Sequence, residues 1–340
     1  MGVDIGSLFH KETITFDDLE YRIIVIDAYN VLHQFLASIR QRDGTPLKDS
    51  KGEVTSHLSG LFQRTANLLE AGIKPVYSFD GTPDPLKART IEIRKQRKIQ
   101  AEKDYEIALA KGDLKTARSK AQQTGRLSDQ MVDETKQLLT ALGIPFVQAP
   151  SEGEAQACYM VKKHDAYAVG SQDFDCLLVG SPILIRNLTS SGKRKVAGKE
   201  AYKKVSVKQI RLEDNLKKLG ITQNQLVDMA ILIGTDFNPG IHGIGPKKSL
   251  KLIRKHETVE QALETIDVAD KPTIEEVMAI RKIFLDPDVT DDYHLIWKNP
   301  DETEVVRILC DTHQFSKIRV QETLRRFENP MTGTTQKTLF

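Results

Sequence analysis

Apolar and polar positions along the chain alternate between short, wholly apolar runs and longer stretches with helical spacing. Ile23-Ile-Val-Ile26, Pro75-Val-Tyr-Ser-Phe79, Ile144-Pro-Phe-Val147 and Tyr167-Ala-Val-Gly170 each read as a strand buried on both faces. Leu177-Leu-Val179 and Pro182-Ile-Leu-Ile185 extend that set. Between the runs, Asn30 to Ile39, Leu127 to Leu142 and Ala155 to Lys163 are spaced as helices. Strands alternating with helices predict an α/β fold, a mostly parallel central sheet flanked by helices. The working edge of such a sheet lies at the carboxyl ends of its strands. Asp27, Asp80, Asp173 and Asp175 all fall there.

Two stretches depart from this alternation. Residues 84–126 carry no strand signal and read as long polar helices, too long for an ordinary connection, and are expected to form a mobile, basic helical cap or arch over the acidic edge. Leu226 to Gly234 is an apolar helix, followed by Thr235-Asp236 and Gly240-Ile-His-Gly-Ile-Gly-Pro-Lys-Lys248. Gly243 and Gly245 suit the positive φ or close approach of a tight hairpin, and Pro246 suits the first turn of the next helix. This predicts a helix-hairpin-helix at about 223–255, whose amides and Lys247-Lys248 seat phosphate without reading bases. One domain is expected over 1–326, its core formed by 1–83 and 127–326. A flexible tail is expected over 327–340, where large apolar residues are few.

Charge sharpens the picture locally rather than globally. The 340 residues carry a net charge of only +2. Lys87 to Arg126, however, holds twelve basic residues against five acids, and Lys193 to Lys218 ten against three. Either run alone fits a solvated helix face; two of them flanking an acidic cluster fit a polyanion held over a metal site. Cys158, Cys176 and Cys310 are odd in number and lack metal-ligand spacing, so each reads as structural. With no long apolar run and no basic-then-apolar leader, the expected setting is the cytoplasm, away from membranes.

The acids of Pro150 to Asp175 come in two close pairs. Gathered carboxylates repel one another and raise each other's pKa unless cations or hydrogen bonds hold them, and divalent ions are the usual solution. Each acid also has a local explanation. Ser151-Glu-Gly-Glu154 is a capping box in which Glu154 reaches back to the helix's first amide; Asp80-Gly81 can be a turn and Asp27 a helix cap. All of these must hold at once for the site to vanish. Asp173 and Asp175 point to one side if extended. Glu152 and Glu154 lie about 200° apart on a regular helix and share a site only if the first turn is irregular.

Ile26-Asp-Ala, Phe79-Asp-Gly, Ala149-Pro-Ser-Glu-Gly-Glu-Ala, Ser171-Gln-Asp-Phe-Asp and Gly234-Thr-Asp-Phe…Gly-Ile-Gly-Pro-Lys together resemble the flap endonucleases of the structure-specific 5′-nuclease superfamily. The resemblance runs in order over almost the whole chain, and Met1-Gly-Val is most similar to the archaeal branch. It implies a two-Mg²⁺ phosphodiesterase cutting near the base of a 5′ flap, with 5′→3′ exonuclease activity, in replication and repair. The implied metal-site acids are Asp27, Asp80, Glu152, Glu154, Asp173, Asp175 and Asp236. Lys87 and Arg94 match cap-base residues that reach the scissile phosphate, while Gly2, His33, Arg40, Gly243, Gly245, Lys247 and Lys248 match DNA-binding positions. His33 stands where many relatives carry tyrosine. Gly240 replaces a frequent serine, so a K⁺ site in the hairpin would rest on backbone carbonyls alone. Gln336, Leu339 and Phe340 resemble the start of a sliding-clamp-binding motif without its later aromatic pair. The implied partners are branched DNA and the clamp, with the chain a monomer. A resecting exonuclease, a bubble endonuclease and a noncatalytic DNA-binding homologue are the alternatives; the first two usually carry long insertions absent here, and the last would have lost metal ligands.

If the basic cap and hairpin grip phosphates, flap-DNA affinity measured by fluorescence anisotropy should fall at least tenfold between about 50 and 200 mM salt. Near-indifference to salt in that range would contradict the phosphate-gripping reading.

Overall fold

The computed structural model describes residues 2–41, 43–189, 193–195, 202–268 and 271–327. Nine strands are present among them: β1 Glu12–Ile14, β2 Ile23–Asp27, β3 Lys74–Phe79, β4 Phe146–Gln148, β5 Ala168–Gly170, β6 Ile183–Arg186, β7 Lys193–Lys195, β8 Tyr202–Lys204 and β9 Val207–Arg211. Seven form one sheet in the order β1-β9-β6-β5-β2-β3-β4, and β7 and β8 form a separate ribbon. Strands β6, β5, β2, β3 and β4 are mutually parallel, whereas β9 runs antiparallel to both its neighbours.

The helices are α1 Ala28–Ser38, α2 Ser56–Glu70, α3 Ala88–Ala110, α4 Leu114–Ala121, α5 Asp129–Ala141, α6 Gly153–Lys162 and α7 Asp175–Val179. The later part of the chain adds α8 Leu212–Leu219, α9 Gln223–Ile233, α10 Pro246–His256, α11 Val259–Glu264, α12 Ile274–Leu285, α13 Glu302–Val306 and α14 Lys317–Leu324. Residues in the parallel strands alternate between two cores. Val25, Val76, Val147, Val169 and Leu184 pack under α6, α7 and α9, while Ile24, Ile26, Tyr77, Phe79 and Ile185 pack under α1, α2 and α5. This sandwiching is why the strands read as unbroken apolar runs.

The cap is a helical pair. Helix α3 packs on α4, and the buried hydrophobic residues of the two polar helices are alanines, Ala101 and Ala108 of α3 and Ala117 and Ala121 of α4. Lys120 to Asp104 (2.7 Å) and Arg126 to Glu102 (2.8 Å) close the pair. The sequence-predicted helix-hairpin-helix is α9 and α10, with Pro246 in the first turn of α10.

Three expectations are corrected. Leu177–Val179 belongs to helix α7, not to a strand; a short apolar run fits a buried helix as well as a buried strand, and Gly180 ends the helix in the left-handed region at φ 93°. Asp173 and Asp175 are accordingly not two positions of one extended segment, because Asp175 opens α7. Phe327 does not begin a tail: it is 1% exposed and stacks on Phe62 at 5.8 Å. The edge strands β1 and β9 had no clear signal, being short or interrupted by Lys208 and Gln209. The clamp-like Gln336, Leu339 and Phe340 lie outside the described residues.

Candidate metal and nucleic-acid site

Four adjacent parallel strands, β5, β2, β3 and β4, deliver acids to one edge. Asp27 is the last residue of β2, Asp80 follows β3, and Glu152 and Glu154 follow β4 at the start of α6. Asp173 and Asp175 stand after β5, and Asp236 enters from the turn after α9. Each acid is held by a specific contact. The Asp27 carboxylate accepts from the Asn30 amide (3.0 Å) and so caps α1. Asp80 accepts from the Gly153 amide (2.7 Å), Asp173 from Asn30 Nδ2 (3.0 Å) and Asp175 from the Val3 amide (2.8 Å). The Ser171 hydroxyl donates to Glu154, Lys87 pairs with Glu152, and Arg94 donates to both oxygens of Asp236 at 2.6 Å.

The pairing of Glu152 and Glu154 has a simple geometric solution. Glu152 is the residue before α6, with extended backbone (φ −78°, ψ 126°), and Glu154 lies within the first turn. The 200° separation of a regular helix therefore never applies to them. The capping box does not form: the Glu152 position has no side-chain cap, and Glu154 turns to Ser171 across the site.

The cluster is electrostatically strained. Burial, then the Asp80 charge, raises the Asp27 pKa to about 8, and burial with the Glu152 charge raises Asp80 to about 6. Burial raises Asp175 to about 7, Asp236 and Asp173 adding to it while the Val3 amide opposes it. Glu154 is pushed well above the carboxylate range by burial and by Asp27, Asp173 and Asp175. Burial alone would lower the Lys87 pKa, yet Glu152, Asp80 and Asp236 raise it. These mutual effects link all seven acids into one constellation. Among the described residues, no three acidic, histidine or cysteine side chains converge tightly enough to hold an ion in this conformation, in which Lys87 and Arg94 occupy two of the carboxylates. The donor set nonetheless suits a hard divalent cation: every donor is a carboxylate oxygen, and Asp27, Asp80, Glu154 and Asp175 carry charge that burial and their neighbours disfavour.

The other expected residues lie on two sides of this cluster. A methyl on Gly2 would collide with the Asp175 carboxylate, so the chain's start is packed against the site. His33, on α1, is open to water yet enclosed beneath the cap; that enclosure, with Lys98 and Arg94 nearby, lowers its pKa to about 4 and keeps the ring neutral. Arg40 faces the end of its own helix, with Nε on Leu36 O (2.7 Å) and a terminal nitrogen on Gly44 O (2.9 Å), and so ties α1 to the loop beneath the cap. In the hairpin, Gly240 (φ 69°) and Gly243 (φ 78°) need glycine. Gly245 does not, as its φ of −97° is open to any residue. Lys247 and Lys248 are exposed at the amino end of α10.

A mostly parallel sheet with an acid-lined carboxyl edge, a basic helical cap and a helix-hairpin-helix defines a 5′-nuclease of the XPG class. Residues 8–101 match the XPG N-terminal domain and residues 143–236 the XPG I-region. Over its whole length the chain is 49% identical to a flap endonuclease 1 of Pyrococcus abyssi, covering 97% of that protein. It is 47% identical to that of Methanosarcina acetivorans, covering 100% of this chain and 99% of the relative. Among solved structures it is similar to flap endonuclease-1 from Methanococcus jannaschii, with TM-score 0.76, 40% identity, and 97% and 98% of the two chains covered. The catalytic core of Rad2 in complex with DNA substrate shares the fold at TM-score 0.69 and 23% identity, over 95% and 97% of the chains. The chain belongs to the flap endonuclease 1 family of nucleases.

Because the folded Asp27 holds its proton to about pH 8 while the unfolded side chain loses it near pH 4, this residue costs the metal-free fold stability progressively as pH rises between those values. Asp27→Asn keeps an N-cap acceptor and removes that cost. In EDTA the variant should be more stable than the parent by on the order of 2 kcal/mol at pH 8, with the difference shrinking toward pH 5, read by thermal melting; it should not cleave DNA.

Proposed function

We propose that this chain cuts DNA near the base of a 5′ flap, with accompanying 5′→3′ exonuclease activity, in replication and repair. The reading is carried by the convergence of seven carboxylates on one sheet edge directly beneath Lys87 and Arg94 of the cap. Asp27, Asp80, Glu152, Glu154, Asp173, Asp175 and Asp236 would hold two Mg²⁺ ions, some through retained waters, since seven negative charges exceed the four positive charges of two such ions. When bound, these ions lower the pKa of the attacking water and offset charge on the scissile phosphate.

The protein's own groups prepare that chemistry. Glu152 pairs with Lys87 and Asp236 with Arg94; ions held by those two carboxylates would compete with the pairs and leave the two cations to the phosphate. Arg94 offers a planar fork suited to two phosphate oxygens, and Lys87 a point charge. Its depressed pKa leaves His33 a neutral, flat ring beneath the cap, where a base can rest against it. Arg40 braces the loop on which the cap stands. Lys247 and Lys248 hold the duplex backbone at the amino end of α10, and a K⁺ ion in the hairpin would be bound by backbone carbonyls around Gly240. Gln336, Leu339 and Phe340 would tether the enzyme to a sliding clamp. The reading takes the chain as a monomer acting in the cytoplasm; among the described residues no helix is long and apolar enough to cross a membrane.

The test is cleavage of a labelled double-flap duplex by the parent and by Asp175→Ala, with and without Mg²⁺. Cleavage by the parent should require Mg²⁺ and map to the base of the flap, and the variant should be slower by roughly a hundredfold or more. A variant as fast as the parent would overturn the metal assignment.

A further inference from the structure

The loop from Ser171 to Phe174, which carries Asp173 and leads into Asp175, has no regular secondary structure. One acid stands on it and the next directly follows it, so something outside the loop has to set the spacing of the two. Its entry is fixed by the Ser171 amide on Ile185 O (3.2 Å), which continues the pairing of β5 with β6. The next residue of β6 is Arg186. Its guanidinium donates to Gln172 O at 2.7 Å, and its carbon lies 4.2 Å from the centre of the Phe174 ring. One planar group thus touches the residues immediately before and after Asp173, the second of which immediately precedes Asp175.

The Phe174 ring is closed in by other groups as well. Phe9 stacks on it at 6.3 Å and 24°, the Lys11 ammonium lies 5.3 Å from its centre, and Gly6 comes so close that a Cβ there would meet the ring at 2.5 Å. Phe174 is 8% exposed. The ring therefore has little room to slide away if its contact with Arg186 is lost, and the peptide would have to twist instead. These two contacts are with a backbone carbonyl and an apolar ring, not with the carboxylates themselves.

We infer that Arg186 is a positioning residue for the candidate metal site: by bridging Gln172 O and the face of Phe174 it sets the relative placement of Asp173 and Asp175. The inference rests on the reading of those two acids as metal ligands. The role is specific to arginine, because a flat guanidinium can stack on a ring and donate in its own plane to a carbonyl, whereas an ammonium is a point charge without a face. Residues that orient ligands without touching the ion commonly change its affinity by tenfold or more.

The experiment is calorimetric titration of the full chain with Mn²⁺ alone, comparing the parent with Arg186→Lys, Phe174→Leu, the double variant, Asp175→Ala, and Phe62→Leu, in the buried face of α2 against Phe327, as a control for general loosening. Arg186→Lys and Phe174→Leu should each weaken Mn²⁺ binding about tenfold. The double variant should be little worse than either single one, since both remove the same stacking contact, and Phe62→Leu should lower the melting temperature without changing Mn²⁺ affinity. In cleavage assays the Mg²⁺ concentration for half-maximal rate should rise in the two loop variants while KM for DNA stays within about twofold of the parent. Parent-like Mn²⁺ affinity in Arg186→Lys, with loss in Asp175→Ala, would overturn the positioning role alone. Parent-like affinity in Asp175→Ala would overturn the ligand reading and this inference with it. An equal loss in Phe62→Leu would reduce the effect to loosening of the fold and equally overturn it.

Discussion

Mutual repulsion among carboxylates taken out of water is the constraint around which this molecule is built. Parallel strands buried on both faces have their backbone groups satisfied within the sheet, which leaves their carboxyl ends as the place where polar groups can be gathered without disturbing either core. Four neighbouring strands place acids there, and burial raises Asp27, Asp80, Glu154 and Asp175 above the usual carboxylate range. Such an arrangement destabilises the fold and survives because the surrounding structure over-determines it. Backbone amides of Asn30, Gly153 and Val3, the Ser171 hydroxyl and the cations of Lys87 and Arg94 each take up one carboxylate.

That list also explains the placement of the cap. Two helices whose buried hydrophobic residues are alanines bury too little apolar surface to anchor themselves firmly to the core. Ion pairs reach the site from the base of the cap, so the cap's position depends on the charge state of the acids beneath it. Ions entering the site and a phosphate arriving under the cap would act on one set of contacts, which couples loading of the site to the disposition of the cap. The hairpin between α9 and α10 contributes from the other side, bringing Asp236 to the cluster while it exposes Lys247 and Lys248 to the solvent.

Much of this was legible in the sequence because the relevant signals are local. Ile23–Ile26 and Pro75–Phe79 read as buried strands since no polar residue that must face water interrupts them, and the acids beyond their ends are adjacent in the chain. The helix-hairpin-helix was legible through Gly243 and Pro246, whose backbone preferences do not depend on context. Where local pattern misled, long-range contact had decided the outcome. Leu177–Val179 is apolar enough for a strand or a helix, and only its packing beneath α6 and α9 distinguishes them. Glu154 matches a capping box yet finds Ser171, seventeen residues away, across the site. Phe327 looked like the start of a polar tail because its partner, Phe62, lies far back in α2. Arg186 carried no motif at all; its contacts with the acid-bearing loop exist only because β5 and β6 are neighbours.

The central claim, that this site holds protons which divalent ions must displace, is tested most directly by the proton balance of metal binding. Mn²⁺ titration at about pH 6.5 in buffers of different ionisation enthalpy counts the protons released per protein. With Asp27 and Asp175 titrating at about 8 and 7, the account predicts release of at least one proton, declining toward zero above about pH 9. Binding of Mn²⁺ with no proton release at pH 6.5 would mean that the acids are already ionised, and would contradict it.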